Sequence, residues 1–229
     1  MNTVLVVSAH PDDEILGCGG TMARHIDDGD TVHVLIVAEG ATSRDTVRDQ
    51  DGRSDELAAL KTAGREAAKV IGCQAPVFLG LPDNRLDSID LIDVIKPIED
   101  AVAEIKPNIV YTHHGGDLNI DHMIVNRAVV TACRPIPGTT VTSLYTFEVP
   151  SSTDWGGVLS SRPFHPTRFV NISENIEQKN SALKAYDSEM RDFPHARSYR
   201  SIEALATHRG AMCGVNAAEA FEVIRELIV

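Results

Sequence analysis

His10, Asp12, Asp13 and Glu14 stand within five residues in the stretch "HPDDE", which directly follows the apolar run "VLVVSA". Adjacent carboxylates repel one another, so a positive partner is expected beside them. His10 and Asp13, at i and i+3 in a turn after a strand, offer one nitrogen and one oxygen to a single divalent cation. Imidazole with carboxylate suits Zn²⁺ or Fe²⁺, whereas Ca²⁺ prefers oxygen alone. A catalytic zinc site typically keeps three protein ligands and lowers the pKa of a bound water to about 7. A neighbouring carboxylate then serves as general base. Asp12 is the candidate for that role, with Glu14 buttressing the turn. The competing reading is an ordinary helix start, where the dipole favours acidic residues.

A third ligand is sought in "YTHHGGDLNIDH", residues 111–122, which offers His113, His114 and His122. His122 falls at a predicted helix start, where its ring can turn toward a strand end. Asp121 can accept a hydrogen bond from a ring nitrogen or orient a catalytic group. Gly115 and Gly116 permit a tight loop between strand and helix.

The elements that carry these residues alternate. Residues 3–9, 31–38, 75–79 and 108–112 read as strands, the first two as continuous apolar runs covered on both faces. Helical patterns lie between them: a helix stopping near Gly29, one capped by Ser54 and ending at Gly72, one over residues 89–105, and one running through Cys133. This is the order of βαβ units, so a parallel sheet with helices on both faces is expected. Ligands bind such sheets beyond the carboxyl ends of the strands. His10 and the 113–122 stretch both sit at such ends. Residues 39–52 are polar and aperiodic and are predicted to be a mobile loop. In the last third, residues 143–149 and 167–172 read as strands, and 174–186 and 201–209 as helices. The tail "AAEAFEVIRELIV" suits helix and strand equally. One domain over residues 1–229 is expected, with a C-terminal elaboration.

Composition excludes several classes. The chain has 229 residues, 21 basic against 33 acidic side chains and a formal charge of −12. That argues against a nucleic-acid or anionic-membrane surface. No stretch approaches the roughly 18 apolar residues of a membrane span. The N-terminus lacks the positive n-region of a signal peptide. Cys18, Cys73, Cys133 and Cys213 form no CxxC pair, which points to reduced thiols in a cytoplasmic protein.

"AHPDDEILGCGGT" followed by "HHGGDLNIDH" resembles the LmbE-like, or PIG-L, family of zinc-dependent N-deacetylases. The likeness continues in "GLPDNRLD" and in "AYDSEMRDFPHARSYRSIEALATHRG", and so covers nearly the whole chain. It implies a Rossmann-like α/β fold and removal of an acetyl group from an N-acetylglucosamine-type sugar or conjugate. It also implies one Zn²⁺ per chain, Fe²⁺ being the alternative, held by His10, Asp13 and His122, with Asp12 as general base. Family members often assemble into oligomers, so the resemblance allows a homo-oligomer. Several members carry His-Pro-Asp-His where this chain has Asn119-Ile120-Asp121-His122. Asn119 donates a hydrogen bond but no proton. The proton donor is then sought in His195 or His114, unless Asp12 returns its own proton. Arg53, Arg85 and Arg197, with Asn119 and Asp121, are the candidates for gripping the sugar or an anionic group attached to it.

Two rival readings are a nucleotide-binding module and a non-catalytic metal-binding scaffold. The first rests on "LGCGGTM" and on Glu39 at the end of the second strand. Read as G-x-G-x-x-G from Gly17, the motif has Met22 in the third glycine's place. Three carboxylates also precede the glycines, where a pyrophosphate would approach.

Overall fold

Val4, Leu5, Val6 and Val7 are fully buried, because layers of helix cover both faces of the strand they form. The computed structural model describes residues 1–156 and 162–228. Among the described residues one sheet contains β1 (Thr3–Ser8), β2 (Thr31–Ala38), β3 (Val77–Leu81), β4 (Ile109–His113), β5 (Ser143–Phe147), β6 (Arg168–Asn171) and β7 (Ala218–Glu226). Its order is β3-β2-β1-β4-β5-β7-β6. The first five strands of that order run parallel, and β7 is antiparallel to both β5 and β6. The helices are α1 (Asp13–Asp27), α2 (Ser54–Ile71), α3 (Leu91–Ile105), α4 (Ile120–Ala132), the single turn α5 (Thr153–Gly156), α6 (Ile176–Leu183) and α7 (Tyr199–Cys213).

The two-residue period of β1 sorts its side chains into two cores. Val4 and Val6 pack with Ile15 and Met22 of α1, Ala67 and Ile71 of α2, and Leu183 of α6. Leu5 and Val7 pack with Val94 and Ile98 of α3 and Val125 and Val129 of α4. From β1 the chain runs outward to β2 and β3, then crosses back to start the other half of the sheet at β4. The carboxyl ends of β1 and β4 therefore flank a crevice at the topological switch point, where α/β sheets take their ligands. The α/β Rossmann-like expectation, mostly parallel with helices on both faces and a C-terminal elaboration, is met.

Several boundaries differ from those read in the sequence. The third strand is displaced to Val77–Leu81. Ser54 begins α2 but makes no side-chain capping bond. The predicted helix over 174–186 is α6 followed by a 3₁₀ turn, Lys184–Glu189. The tail becomes strand β7, because β5 and β6 both offer it a pairing edge. The stretch 39–52 contains a 3₁₀ turn at Thr42–Arg44 and is tied down by ion pairs: Arg48 to Glu39 at 2.8 Å and Arg44 to Glu189 at 2.7 Å. Among the described residues no helix is long and apolar enough to cross a membrane.

The glycines of "LGCGGT" lie inside α1 rather than in a loop before it. A Cβ on Gly17 would collide with the Phe147 ring of β5, and one on Gly20 would meet Ile172 Cδ1 at 2.7 Å. They let the helix press against the sheet, which removes the structural basis for a phosphate-binding loop.

Between those glycines α1 leaves helical geometry at Cys18 (φ −148°, ψ 22°). The backbone N–H groups of Gly20 and Thr21 then donate to the Glu219 carboxylate of β7, at 3.0 and 2.7 Å. Lys179 Nζ of α6 neutralises Glu219 at 2.6 Å and also donates to the Leu16 carbonyl. This buried pair ties the C-terminal elaboration to the helix that begins at Asp13. Removing one partner would strand a buried charge, at a cost of roughly 3–5 kcal/mol. Lys179→Met is therefore expected to lower the unfolding free energy in urea by about 3 kcal/mol and Tm by roughly 6–12 °C. A change within about 0.5 kcal/mol would contradict this role.

Candidate metal centre

β1 ends at Ser8, and the chain turns so sharply that Asp12 adopts φ 111°, a conformation unfavourable for a residue with a Cβ. The turn brings the His10 backbone N–H to Asp13 Oδ2 at 2.9 Å and sets the His10 ring against the same oxygen, Nδ1 lying 3.2 Å away. From across the crevice, His122 in the first turn of α4 brings its Nε2 to Asp13 Oδ2, also at 3.2 Å. Ligand atoms of His10, Asp13 and His122 all lie within 4.8 Å of one another.

The far side of each ring explains the orientation. His122 Nδ1 faces Asp117 Oδ2 at 3.2 Å, and Asp117 is itself held by the Ser152 and Thr153 hydroxyls. His10 Nε2 faces Asp121 Oδ2 at 3.1 Å and Asp83 Oδ1 at 3.2 Å. A carboxylate that accepts the distal N–H of an imidazole leaves the proximal nitrogen with a lone pair to give. A divalent ion beside Asp13 would thus find a lone pair on each ring, whereas a ring nitrogen that bonds Asp13 directly does so as an N–H donor. Asp13 Oδ1 is buried and has no hydrogen-bond partner among the described residues. Two imidazoles, a buried carboxylate with an unsatisfied oxygen and carboxylate-anchored distal nitrogens fit a Zn²⁺-type ion.

A second cluster, His10 with Asp83 and Asp121, shares the same ring. Both Asp121 oxygens already accept backbone N–H groups, from Asn84 at 2.6 Å and Leu86 at 3.0 Å. These carboxylates are better explained as anchors for His10 than as a separate ion site.

The electrostatics agree. Burial pulls the His10 imidazole down, but hydrogen bonds to Asp121, Asp13 and Asp83 outweigh it and raise its pKa well above the ordinary value. Burial would raise Asp13, yet the His122 charge and hydrogen bonds from His10 and His122 hold it well below the carboxylate range. Both shifts have one cause: the two rings and the Asp13 carboxylate are buried against one another. For Asp12, burial dominates and pushes its pKa up to about 7, against the opposing charge of Arg197.

His113 stacks on His122 with ring centroids 3.9 Å apart. Its Nε2 accepts the Ala9 backbone N–H at 2.8 Å, so that lone pair is already committed. That nitrogen also lies 3.6 Å from Asp13 Oδ2, but of the three histidines weighed for the third position it is His122 whose ligand atom groups with those of His10 and Asp13.

A cavity of about 230 Å³ opens over the site, with His10, Asp12, Asp83, Asn119 and Arg197 in its wall. Asn119 Oδ1 caps α4 by accepting the Asp121 N–H at 2.9 Å, which leaves its Nδ2 as a donor. The structure leaves other candidates out of this wall. His114, just past the end of β4, is buried with its Nδ1 on Glu222 and its Nε2 on the Arg162 carbonyl. Both nitrogens are engaged, so it cannot supply a proton at the cavity. His195 packs edge-on against Trp155, and its Nδ1 accepts the Arg197 backbone N–H. Arg53 is taken up by Asp45 and Glu56, and Arg85 by the carbonyls of Asp45 and Thr46. Both brace the 39–52 segment. Asp121 is fully buried beneath His10 and cannot contact a substrate.

Sequence reasoning missed Asp83, Asp117, Arg44, Glu189 and Arg191. The first two anchor the rings, and the others line the cavity. Asp83 lies in "GLPDNRLD", a stretch that carries part of the family resemblance but has no ligand spacing of its own to single out the aspartate.

The family model described as GlcNAc-PI de-N-acetylase, PIG-L, matches residues 5–133, which include every side chain at the cluster. The chain belongs to the PIG-L family. It is 31% identical over 191 residues to the uncharacterized deacetylase YaiS of Escherichia coli, covering 81% of this chain and 90% of that protein. It is 28% identical over 190 residues to a probable N-acetyl-alpha-D-glucosaminyl L-malate deacetylase 2 of Bacillus cereus, covering 81% and 83%. Two solved structures share the fold at a TM-score of 0.78. One is N,N'-diacetylchitobiose deacetylase from Pyrococcus horikoshii, at 18% identity over 98% of this chain and 84% of that one. The other is GalB, a 4-carboxy-2-hydroxymuconate hydratase from Pseudomonas putida, at 20% identity over 100% and 98%. At that distance the likeness concerns the fold alone.

Protein reloaded with Zn²⁺ after chelation is expected to hold about one ion per chain by atomic emission. Asp13→Asn and His122→Ala should lose stoichiometric metal, and Asp117→Asn should weaken binding roughly 10–100-fold. Full metal content in the first two variants would place the ion elsewhere.

Proposed function

We propose that this PIG-L family member is a metal-dependent N-deacetylase, a single domain over residues 1–229. It hydrolyses the acetamide of an N-acetylglucosamine-type sugar or sugar conjugate to acetate and a free amine. The observation that carries the reading is the approach of His10, Asp13 and His122 to one point, with the Asp12 carboxylate beside it on the cavity wall. The family match favours amide hydrolysis over other water chemistry that the same fold supports.

A zinc-type ion held by His10, Asp13 and His122 would supply Lewis acidity and make water nucleophilic near neutral pH. The chain's own groups do the rest. Asp12 accepts a proton from the attacking water and returns it to the nitrogen as the C–N bond breaks. One group can serve both steps because burial brings its proton affinity close to neutrality. This accounts for the lack of a histidine at position 119 and for the absence of His114 and His195 from the cavity wall. Asn119 Nδ2 is available to donate to the acetyl oxygen as charge develops on it. The polar walls of the cavity suit a hydroxyl-rich ring better than an apolar ligand.

Acetate release from a panel of N-acetylglucosamine conjugates, before and after chelation, tests this. Activity should vanish with chelator and return with Zn²⁺. Asp12→Ala should keep its metal and lose roughly 10²–10⁴-fold in kcat. Bound zinc without acetate release from any substrate would favour a non-catalytic scaffold. Unchanged turnover in Asp12→Ala would remove that residue from the chemistry.

A further inference from the structure

Asp12 occupies a backbone conformation that does not hold itself, and its supports come from a distant part of the chain. Its backbone N–H donates to Glu14 Oε2 at 3.1 Å, and Glu14 Oε1 in turn accepts the Tyr186 hydroxyl at 2.7 Å. Its carboxylate Oδ2 accepts from Arg197 Nη1 at 2.9 Å. No other described residue hydrogen-bonds that carboxylate. Tyr186 and Arg197 both belong to the segment between α6 and α7.

Arg197 is itself fixed. Its Nε donates to Ser151 Oγ at 3.2 Å, and Ser151 is one of the few non-glycine residues with positive φ, at 68°. The Arg197 N–H donates to His195 Nδ1, and its carbonyl accepts the Arg191 N–H at 3.2 Å. The next residue, Ser198, caps α7 through Ser201. The arginine side chain is 23% exposed and the aspartate 3%, so the pair is largely withdrawn from solvent yet borders the cavity. A guanidinium anchored at both Nε and Nη1 has little freedom to swing toward a substrate.

We propose that Arg197 is a positioning residue: held by Ser151 and by the His195 turn, its guanidinium fixes Asp12 Oδ2 and so presents Oδ1 for proton transfer. This rests on the reading of Asp12 as proton acceptor. It also gives His195 a function other than acid catalysis, as the acceptor that shapes the turn behind Arg197. The alternative is that Arg197 receives an anionic group of the substrate, and kinetics separate the two. A receptor for an anion acts on KM, and only for anionic conjugates. A positioning residue acts on kcat for every substrate, because a carboxylate misplaced by about 1 Å costs on the order of a hundredfold.

The test uses zinc-loaded full-length protein with a neutral and an anionic N-acetylglucosamine conjugate, and the variants Arg197→Gln, Arg197→Lys, Asp12→Asn and Asp12→Asn/Arg197→Gln. Arg197→Gln should retain its zinc and lose about a hundredfold in kcat on both substrates, with KM within about threefold. Arg197→Lys should recover part of the loss. In the Asp12→Asn background, removing Arg197 should cost nothing further, since it acts through Asp12. A KM increase confined to the anionic conjugate, or an additive loss in the double variant, would overturn the proposal. Should wild-type protein release no acetate, the deacetylase reading fails, and crystal structures of wild type and Arg197→Gln still decide the positioning. A displaced Asp12 carboxylate in the variant supports it; an unmoved one refutes it.

Discussion

The site is organised around one buried oxygen, Oδ2 of Asp13. Two imidazoles from opposite sides of the crevice reach it at the same distance, 3.2 Å. A carboxylate withdrawn from water is costly unless positive charge or strong donors surround it. Here the requirement is met by His10 from the end of β1 and His122 from the start of α4. The β1–β4 switch point exists in many sheets of this topology. What distinguishes this chain is that its crevice is lined by groups that cannot be neutral together without a cation or bound protons.

Charge is then relayed outward in layers. Asp117, Asp121 and Asp83 take the distal nitrogens and fix the tautomers, and Ser152, Thr153 and the backbone of Asn84 and Leu86 satisfy those carboxylates in turn. Such outer partners hold ligand geometry before any ion arrives. The C-terminal elaboration takes part as well. Lys179 and Glu219 pin α1 at its break, while Tyr186 and Arg197 hold the strained turn at Asp12. The C-terminal elaboration thus reaches the candidate site through Glu219 of β7 and through the segment between α6 and α7.

Much of this was legible in the residues. The continuous apolar runs of β1 and β2 fix a sheet covered on both faces, and "HPDDE" directly after the first of them places charge at a strand end. His10, Asp12 and Asp13 are neighbours in the chain, so their proximity needs only a turn. The fold class brings the 113–122 stretch to a neighbouring strand end and leaves His113, His114 and His122 open; the family resemblance is what singles out His122. The anchors were harder to see. Asp83 lies 73 positions from His10 and Arg197 lies 185 from Asp12, and no local periodicity reports such pairs. His114 and His195 were attractive as acids because histidine titrates near neutrality. Their packing against Glu222 and Trp155, away from the cavity wall, becomes visible only in three dimensions. The tail could not be assigned because its alternation is weak, and the open edges of β5 and β6 decided it. The 39–52 segment read as mobile since its ion pairs join residues that look like scattered surface charge.

The most direct test of the central claim is anomalous diffraction at the zinc edge from crystals of the zinc-loaded protein. One peak is expected per chain, about 2.0–2.2 Å from a ring nitrogen of His10, a ring nitrogen of His122 and an oxygen of Asp13. A peak bound elsewhere, or an Asp13–His10–His122 cluster that stays closed on itself with zinc in excess, would contradict the account.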